Sequence, residues 1–152
     1  MRINKSKFIY LISPIKIKRS FYDDLSEILR CGKVSFFQLR LKNTSFKKKL
    51  IIGKKIKKIC KKYKTKFLIN DDVILSKKLN ADGCHLGQKD DVIIEAKKYL
   101  KKKIIGTTCH NSKSLAKIAI QNKADYLAFG SFSKSKLKPN AKKANLNILK
   151  WA

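Results

Sequence analysis

The feature that most constrains the fold of this chain is a regular alternation of short apolar runs with segments of helical periodicity. Six apolar runs are predicted to be strands: 8–13, 34–41, 66–70, 83–87, 103–108 and 126–130. The segments between them carry apolar residues at helical spacing, as Ile93, Ala96 and Leu100 do after the fourth run. Strands that alternate with helices are typical of a parallel sheet. The pattern therefore predicts an α/β protein, with either an open doubly wound sheet or a (β/α)8 barrel.

Polar residues mark the predicted helix ends. Ser20, with Asp23 three residues later, has the pattern of a capping box, and Gly32 is expected to end that first helix. Ser45 is expected to cap the second helix. The apolar face of the first helix is predicted to consist of Phe21, Leu25, Ile28 and Leu29.

The chain also contains a short internal echo. The dipeptide Ala81-Asp82 precedes the fourth predicted strand, and Ala124-Asp125 precedes the sixth. Self-similarity at a fixed spacing is typical of a repeated supersecondary unit, and this spacing equals about two of the βα units seen here. The echo thus favours a fold built from repeated βα units.

The charge of the chain is strongly positive, with a net charge of +28. Only four of the 38 basic residues are arginine, whereas recognition of bases and phosphates favours arginine. We therefore expect solvated lysine faces and no specific nucleic-acid partner. No apolar run approaches the roughly 18 residues of a membrane span, and the apolar run near the N-terminus is too short for a signal peptide. These features predict a cytoplasmic protein with no membrane partner, and they leave its oligomeric state open.

Against this positive background, two pairs of carboxylates follow predicted strands. Asp71 and Asp72 follow the third strand, and Asp90 and Asp91 lie just past the fourth. The carboxyl ends of parallel strands meet on one face, where ligands bind, so we expect the two pairs to lie close together. For Asp72 and Asp91 a place in the first turn of a helix is the alternative explanation, because negative charge suits the helix dipole there.

Three polar side chains alternate at the end of the second predicted strand. Gln38, Arg40 and Lys42 are expected on one side of the strand, with Leu39 and Leu41 on the other. An amide and two cations on one side suit a bound anion at the same face.

Five segments in order along the chain carry a family resemblance: QLRLK, LINDD, HLGQKD, GTTCHNS and FGSFSKSKLK. They resemble thiamine phosphate synthase, from about Tyr10 to Lys138. The resemblance implies a (β/α)8 TIM barrel. It also implies a transferase of thiamine biosynthesis that couples an aminopyrimidine methyl pyrophosphate to a thiazole phosphate and releases pyrophosphate. The implied cofactor is Mg²⁺, and the implied partners are these small-molecule substrates.

The resemblance also assigns roles to residues. Asp71 and Asp90 are implied as the Mg²⁺ ligands. The implied catalytic residues are Arg40, Lys42 and Lys138, which would stabilise charge on the departing pyrophosphate. The implied substrate-binding residues are Gln38, Arg40, Lys42, Asn70, Thr108, Ser135 and Lys138.

The chain departs from the family pattern in sequence and in length. Asp72 stands where the family usually has arginine, Leu137 replaces a hydroxyl residue, and Lys134 replaces a proline. A (β/α)8 barrel needs about 200 residues, and this chain supplies about six of the eight βα units. We therefore expect residues 1–152 to form a single, C-terminally truncated barrel domain that lacks the last two units. Alone, it is expected to lack synthase activity and to associate through open edge strands.

Two alternative functions remain open. A thiazole tautomerase shares the fold, and a histidine at the place of His110 serves as its acid and base. A non-enzymatic basic module that binds polyanions is the other alternative. The carboxylates Asp71 and Asp90 together with Arg40 and Lys42 favour the synthase, because a tautomerase needs no pyrophosphate site.

Overall fold

A computed structural model describes residues 7–87, 90–133 and 143–152, with the side chains of 90–92 excepted. Strands and helices alternate throughout these residues. The strands are β1 (Ile9–Ile12), β2 (Val34–Leu39), β3 (Lys66–Asn70), β4 (Gly83–Leu86), β5 (Ile104–His110) and β6 (Tyr126–Phe129). The helices are α1 (Phe21–Arg30), α2 (Phe46–Lys62), α3 (Val73–Lys78), α4 (Asp90–Leu100), α5 (Lys113–Gln121) and α6 (Asn147–Trp151). Each predicted strand is confirmed, with ends displaced by two residues at most.

The chain divides into two compact units, of which the first ends at Asp82 and the second begins at Gly83. In the first unit β2 pairs in parallel with both β1 and β3. In the second unit β5 pairs in parallel with both β4 and β6. The predicted α/β class with parallel strands is confirmed, while a single barrel domain over 1–152 stays a prediction.

The core of the first unit lies between its strands and the apolar faces of α1 and α2. Ile56 and Cys60 of α2 are fully buried, as are Phe37 of β2 and Phe67 of β3. The two phenylalanine rings stack with their centroids 6.5 Å apart. Burial, with a smaller contribution from the Asp82 carboxylate, raises the pKa of the Cys60 thiol to about 12, so this cysteine is a core residue and not a nucleophile.

Two predictions about α1 were wrong. Ser20 has helical backbone angles, and within the described part of the chain its side chain makes no capping hydrogen bond. A capping side chain needs an extended backbone to reach back to the first turn. Ile28 is 47% exposed, because the helix turns Leu25 and Leu29 towards the core instead. Gly32 follows the helix with a φ of +71°, as expected of a residue that ends it.

One face of α2 holds the short helix α3 at both ends. The Lys49 ammonium lies 3.6 Å from a carboxylate oxygen of Asp72, the residue that caps α3. The Lys57 ammonium donates to the carbonyl oxygen of Leu79 at the other end of α3. Between them, a Cβ added to Gly53 would come within 2.4 Å of the Leu79 side chain. Residues four apart share one helix face, so this face of α2 positions α3 and the turn that precedes it.

The aspartate of the repeated Ala-Asp dipeptide makes the same hydrogen bonds in both places. A carboxylate oxygen of Asp82 accepts the backbone N–H of Phe67, and the N–H of Asp82 donates to the carbonyl of Phe67. Asp125 makes the same pair of bonds with Ile105. In both places the aspartate ties the start of one strand to the segment that leads into the next, which explains why this residue recurs.

The contact at Gly53 gives a test of the α2–α3 packing. Gly53→Ala should gain about 1 kcal/mol from helix propensity and lose about 1–3 kcal/mol from overpacking. Because Leu79 is buried, the clash cannot be relieved by moving its side chain into solvent. We expect a net loss of about 1 kcal/mol in the free energy of unfolding, measured by chemical denaturation.

The exposed Lys54→Ala provides the matched control in the same helix, with an expected change within about 0.5 kcal/mol. A Gly53→Ala protein more stable than the wild type would contradict close packing of α2 on Leu79.

Candidate active site

A chain of side-chain hydrogen bonds crosses the three strands of the first unit. The Tyr10 hydroxyl donates to Gln38 Oε1 over 3.1 Å, and Gln38 Nε2 donates to Asn70 Oδ1 over 2.5 Å. Asn70 Nδ2 then donates to Asp71 Oδ2 over 2.6 Å. Gln38 is buried, whereas Asp71 is exposed. This relay leads from the interior to a surface carboxylate and fixes the orientation of both amides.

The turn after β3 places Asp71 and Asp72 in different roles. Asp71 has a φ of +58°, the left-handed region, and the N–H of Asp72 donates back to the carbonyl of Asn70. Asp72 caps α3, since its Oδ1 accepts the N–H of Leu75 over 2.8 Å. Its Oδ2 faces Lys49. The alternative explanation of Asp72 as a residue at the start of a helix is therefore confirmed. Asp71 is the exposed carboxylate of the turn.

An open pocket of about 460 Å³ lies beside this turn. It brings together two ammonium groups, an amide and two carboxylates at the carboxyl ends of β2 and β3. The residues that line it are Leu41, Lys42, Lys49, Asn70, Asp71, Asp72, Val73 and Ile74. Such a lining suits an anionic ligand that carries a metal ion with it.

The predicted alternation of Gln38, Arg40 and Lys42 does not extend along the whole segment. β2 ends at Leu39, and the backbone N–H of Arg40 donates to the Ser13 hydroxyl over 2.9 Å. Because the chain leaves the sheet at this point, side chains no longer alternate between two faces, and Leu41 lines the pocket together with Lys42. Of the three residues only Gln38 belongs to the strand.

In the second unit, Thr108 belongs to a separate hydrogen-bonded group. His85 Nε2 lies 2.8 Å from the Thr108 hydroxyl, and His85 Nδ1 lies 2.8 Å from the Tyr126 hydroxyl. A Cβ added to Gly106 would come within 1.9 Å of the Tyr126 ring, so glycine provides the space for that ring. His85 is 9% exposed. The Thr108 hydroxyl, an implied substrate ligand, is thus held by a buried imidazole.

Several predicted site residues fall outside the described part of the chain. Ser135 and Lys138 lie outside the described residues, and α4 begins at Asp90, whose side chain is not among those described. A common site for Asp71 and Asp90 therefore stays a prediction. The interaction of the Asp91 carboxylate with a helix dipole stays a prediction as well. His110 is exposed at the end of β5.

The described residues lack two features. They contain no cluster of three or more histidine, cysteine, aspartate or glutamate side chains able to hold a metal ion by themselves. Among the same residues, no helix is long and apolar enough to cross a membrane.

Sequence reasoning missed three residues of the first unit: Tyr10, Ser13 and Lys49. Tyr10 and Ser13 lie in the first apolar run, whose pattern predicts a strand and indicates no role for either hydroxyl. Lys49 belongs to the lysine-rich face of α2, which the pattern predicts to be solvated. The available signal for Lys49 was its spacing of four residues from Gly53, which places both on one helix face.

Comparison with known proteins gives concordant matches over nearly the whole chain. The family model for thiamine monophosphate synthase matches residues 9–152. The thiamine-phosphate synthase of Pelagibacter ubique is 64% identical over 150 residues, which make up 98% of this chain and 72% of that protein. The thiamine-phosphate synthase of Erythrobacter litoralis is 38% identical, over 94% of this chain and 70% of that protein.

A solved structure agrees with these sequence matches. Thiamine phosphate pyrophosphorylase from Pyrococcus furiosus superposes with a TM-score of 0.81 and 28% sequence identity, over 95% of this chain and 68% of that one.

Parallel strands that end at a polar pocket place the chain among α/β proteins that bind ligands at the carboxyl edge of the sheet. Within that class, the chain belongs to the thiamine monophosphate synthase family. The predicted family, and with it the predicted transferase function in thiamine biosynthesis, is confirmed.

The cap at α3 can be tested at Asp72. Asp72→Ala should lower the free energy of unfolding by about 1 kcal/mol, because it leaves the Leu75 N–H without its acceptor. Asp72→Asn keeps an oxygen that can cap the helix and should cost clearly less. Chemical denaturation of both variants measures the difference. Equal losses would contradict the cap and assign the stabilisation to the ion pair with Lys49.

Proposed function

We propose that the pocket of the first unit binds the pyrophosphate of an aminopyrimidine methyl pyrophosphate, which is then coupled to a thiazole phosphate with release of pyrophosphate. The observation that supports this most is the position of Lys42 and Asp71 in one pocket, with Asp71 at the end of the Gln38–Asn70 relay. The same proposal includes a reaction in the cytoplasm. It also includes a (β/α)8 barrel to which the six described strands belong.

The residues present fit Mg²⁺ as the cofactor. This ion takes oxygen ligands, and it commonly uses one or two carboxylates together with water and substrate phosphate. Asp71 offers an exposed carboxylate oriented by Asn70, and Asp90 would supply the second carboxylate. When bound, Mg²⁺ would neutralise part of the charge on the pyrophosphate.

The cations would act on the leaving group. As the bond from the pyrimidine methylene carbon to the pyrophosphate oxygen breaks, negative charge grows on that oxygen. Arg40, Lys42 and Lys138 would therefore bind the departing group more tightly in the transition state than in the substrate. The thiazole nitrogen bonds to the methylene carbon, so this chemistry needs no protein nucleophile.

Two polar groups would orient the pyrimidine. Gln38 has its amide fixed by Tyr10 on one side and Asn70 on the other. The Thr108 hydroxyl is held by His85 in the second unit. Polar groups that are already oriented need little reorganisation during the reaction, which is the main source of electrostatic catalysis. Ser135 would add a further hydroxyl for substrate binding.

Arg40→Ala tests the leaving-group role. Removal of one charge-stabilising donor should lower kcat by about 10²–10³-fold. The exposed Arg30→Ala is the matched control and should change kcat little. This chain spans 72% of the Pelagibacter ubique relative, so thiamine phosphate formation is measured with Mg²⁺ in a chimera. The chimera adds the part of the Pelagibacter ubique relative outside the alignment.

His110→Ala is measured in the same assay and should matter less than Arg40→Ala. A larger loss for His110→Ala than for Arg40→Ala would contradict the proposal and favour a tautomerase. Calorimetric titration of the chimera with the pyrimidine pyrophosphate and Mg²⁺ tests binding separately from turnover.

A further inference from the structure

Lys49 is the lysine of the first turn of α2 that lines the pocket. Its neighbours Lys47 and Lys48 are exposed, whereas its own side chain is 25% exposed. It shares the pocket lining with Lys42 and Asp71. A long cationic side chain that is largely withdrawn from water beside an open polar pocket needs a reason, because lysine normally extends its ammonium into solvent.

Asp72 explains how Lys49 is held there. One oxygen of Asp72 caps α3, and the other lies 3.6 Å from the Lys49 ammonium. This distance makes an ion pair that is too long for a good hydrogen bond. An ammonium group has three N–H donors, so a single pairing of this kind leaves donors for an incoming anion. Asp72 therefore orients Lys49 without using up its capacity to bind.

The charge of the pocket supports a second cationic contact. Lys42 and Lys49 are balanced by Asp71 and Asp72 in the absence of ligand. A pyrophosphate group carries several negative charges spread over the oxygens of two phosphates, so it offers acceptors to more than one cation. Lys49 approaches the pocket from α2, whereas Lys42 approaches from the segment after β2. The two ammonium groups thus come from different elements.

We propose that Lys49 is a further binding residue for the diphosphate group, held at the pocket wall by Asp72 until the ligand enters. This inference rests on the proposed function and deepens it by adding a contact that serves the diphosphate in substrate and product alike. Such a contact should affect affinity much more than kcat.

The test is calorimetric titration of the same chimera with inorganic pyrophosphate and Mg²⁺ at one fixed ionic strength. Lys49→Met removes the charge and keeps most of the aliphatic stem. It should raise the Kd for pyrophosphate about tenfold, the loss expected for one hydrogen bond to a charged group. Lys47→Met removes the same charge from the exposed side of the same turn and should change Kd less than about twofold. Lys49→Arg should restore most of the affinity.

A second measurement needs no substitution. Lysines of the wild-type protein are acetylated in the presence and absence of pyrophosphate, and the extent of modification at each is read by mass spectrometry. Protection of Lys49 with no change at Lys47 is the expected result. Equal modification of Lys49 with and without ligand would overturn the inference even if Lys49→Met fails to fold.

The outcomes separate this inference from the proposed function. A wild-type protein that does not bind pyrophosphate overturns both. In the other case, Arg40→Ala weakens binding while Lys49→Met binds pyrophosphate as tightly as Lys47→Met does. That result overturns the role of Lys49 alone.

Discussion

The hydrogen bond between Gln38 and Asn70 is the interaction on which the pocket of the first unit depends. Gln38 is 2% exposed, so both the oxygen and the NH₂ group of its amide need a hydrogen-bond partner. Leaving either one unsatisfied would cost about 1–3 kcal/mol. Tyr10 and Asn70 are those partners. Asn70 is the last residue of β3, and the amide that this bond orients donates in turn to the Asp71 carboxylate. Within the described residues, each buried polar side-chain atom has a hydrogen-bond partner.

Three of the few carboxylates in the chain have structural roles that its composition does not reveal. With 38 basic residues and 10 acidic ones, most lysines have no acidic neighbour available. Asp72, Asp82 and Asp125 each accept a backbone N–H, at a helix start or at the start of a strand. Each also lies within 4 Å of a lysine ammonium. In a chain whose net positive charge opposes compaction, these aspartates combine hydrogen bonding with charge balance.

The lysines of α2 divide into two kinds, according to whether solvent or another helix lies opposite them. Lys54 and Lys58 are exposed, which agrees with the expected solvated face. Lys49 and Lys57 reach the two ends of α3 instead. Helical periodicity predicts which residues share a face, and it cannot tell whether solvent or another helix lies opposite that face. The expectation of a solvated lysine face was therefore wrong at these two positions.

The order of strands and helices, the parallel α/β class and the family were determined by the sequence itself, because apolar periodicity and the order of short motifs are local properties of the chain. Asp71 was also singled out from its place after an apolar run. The tertiary structure alone decided which polar groups meet. Tyr10, Gln38 and Asn70 lie on three different strands, and Lys49 meets Asp72 only because α2 packs on α3 through Gly53. Such contacts join residues far apart in the chain, and no local pattern specifies which donor will face which acceptor once the core has packed.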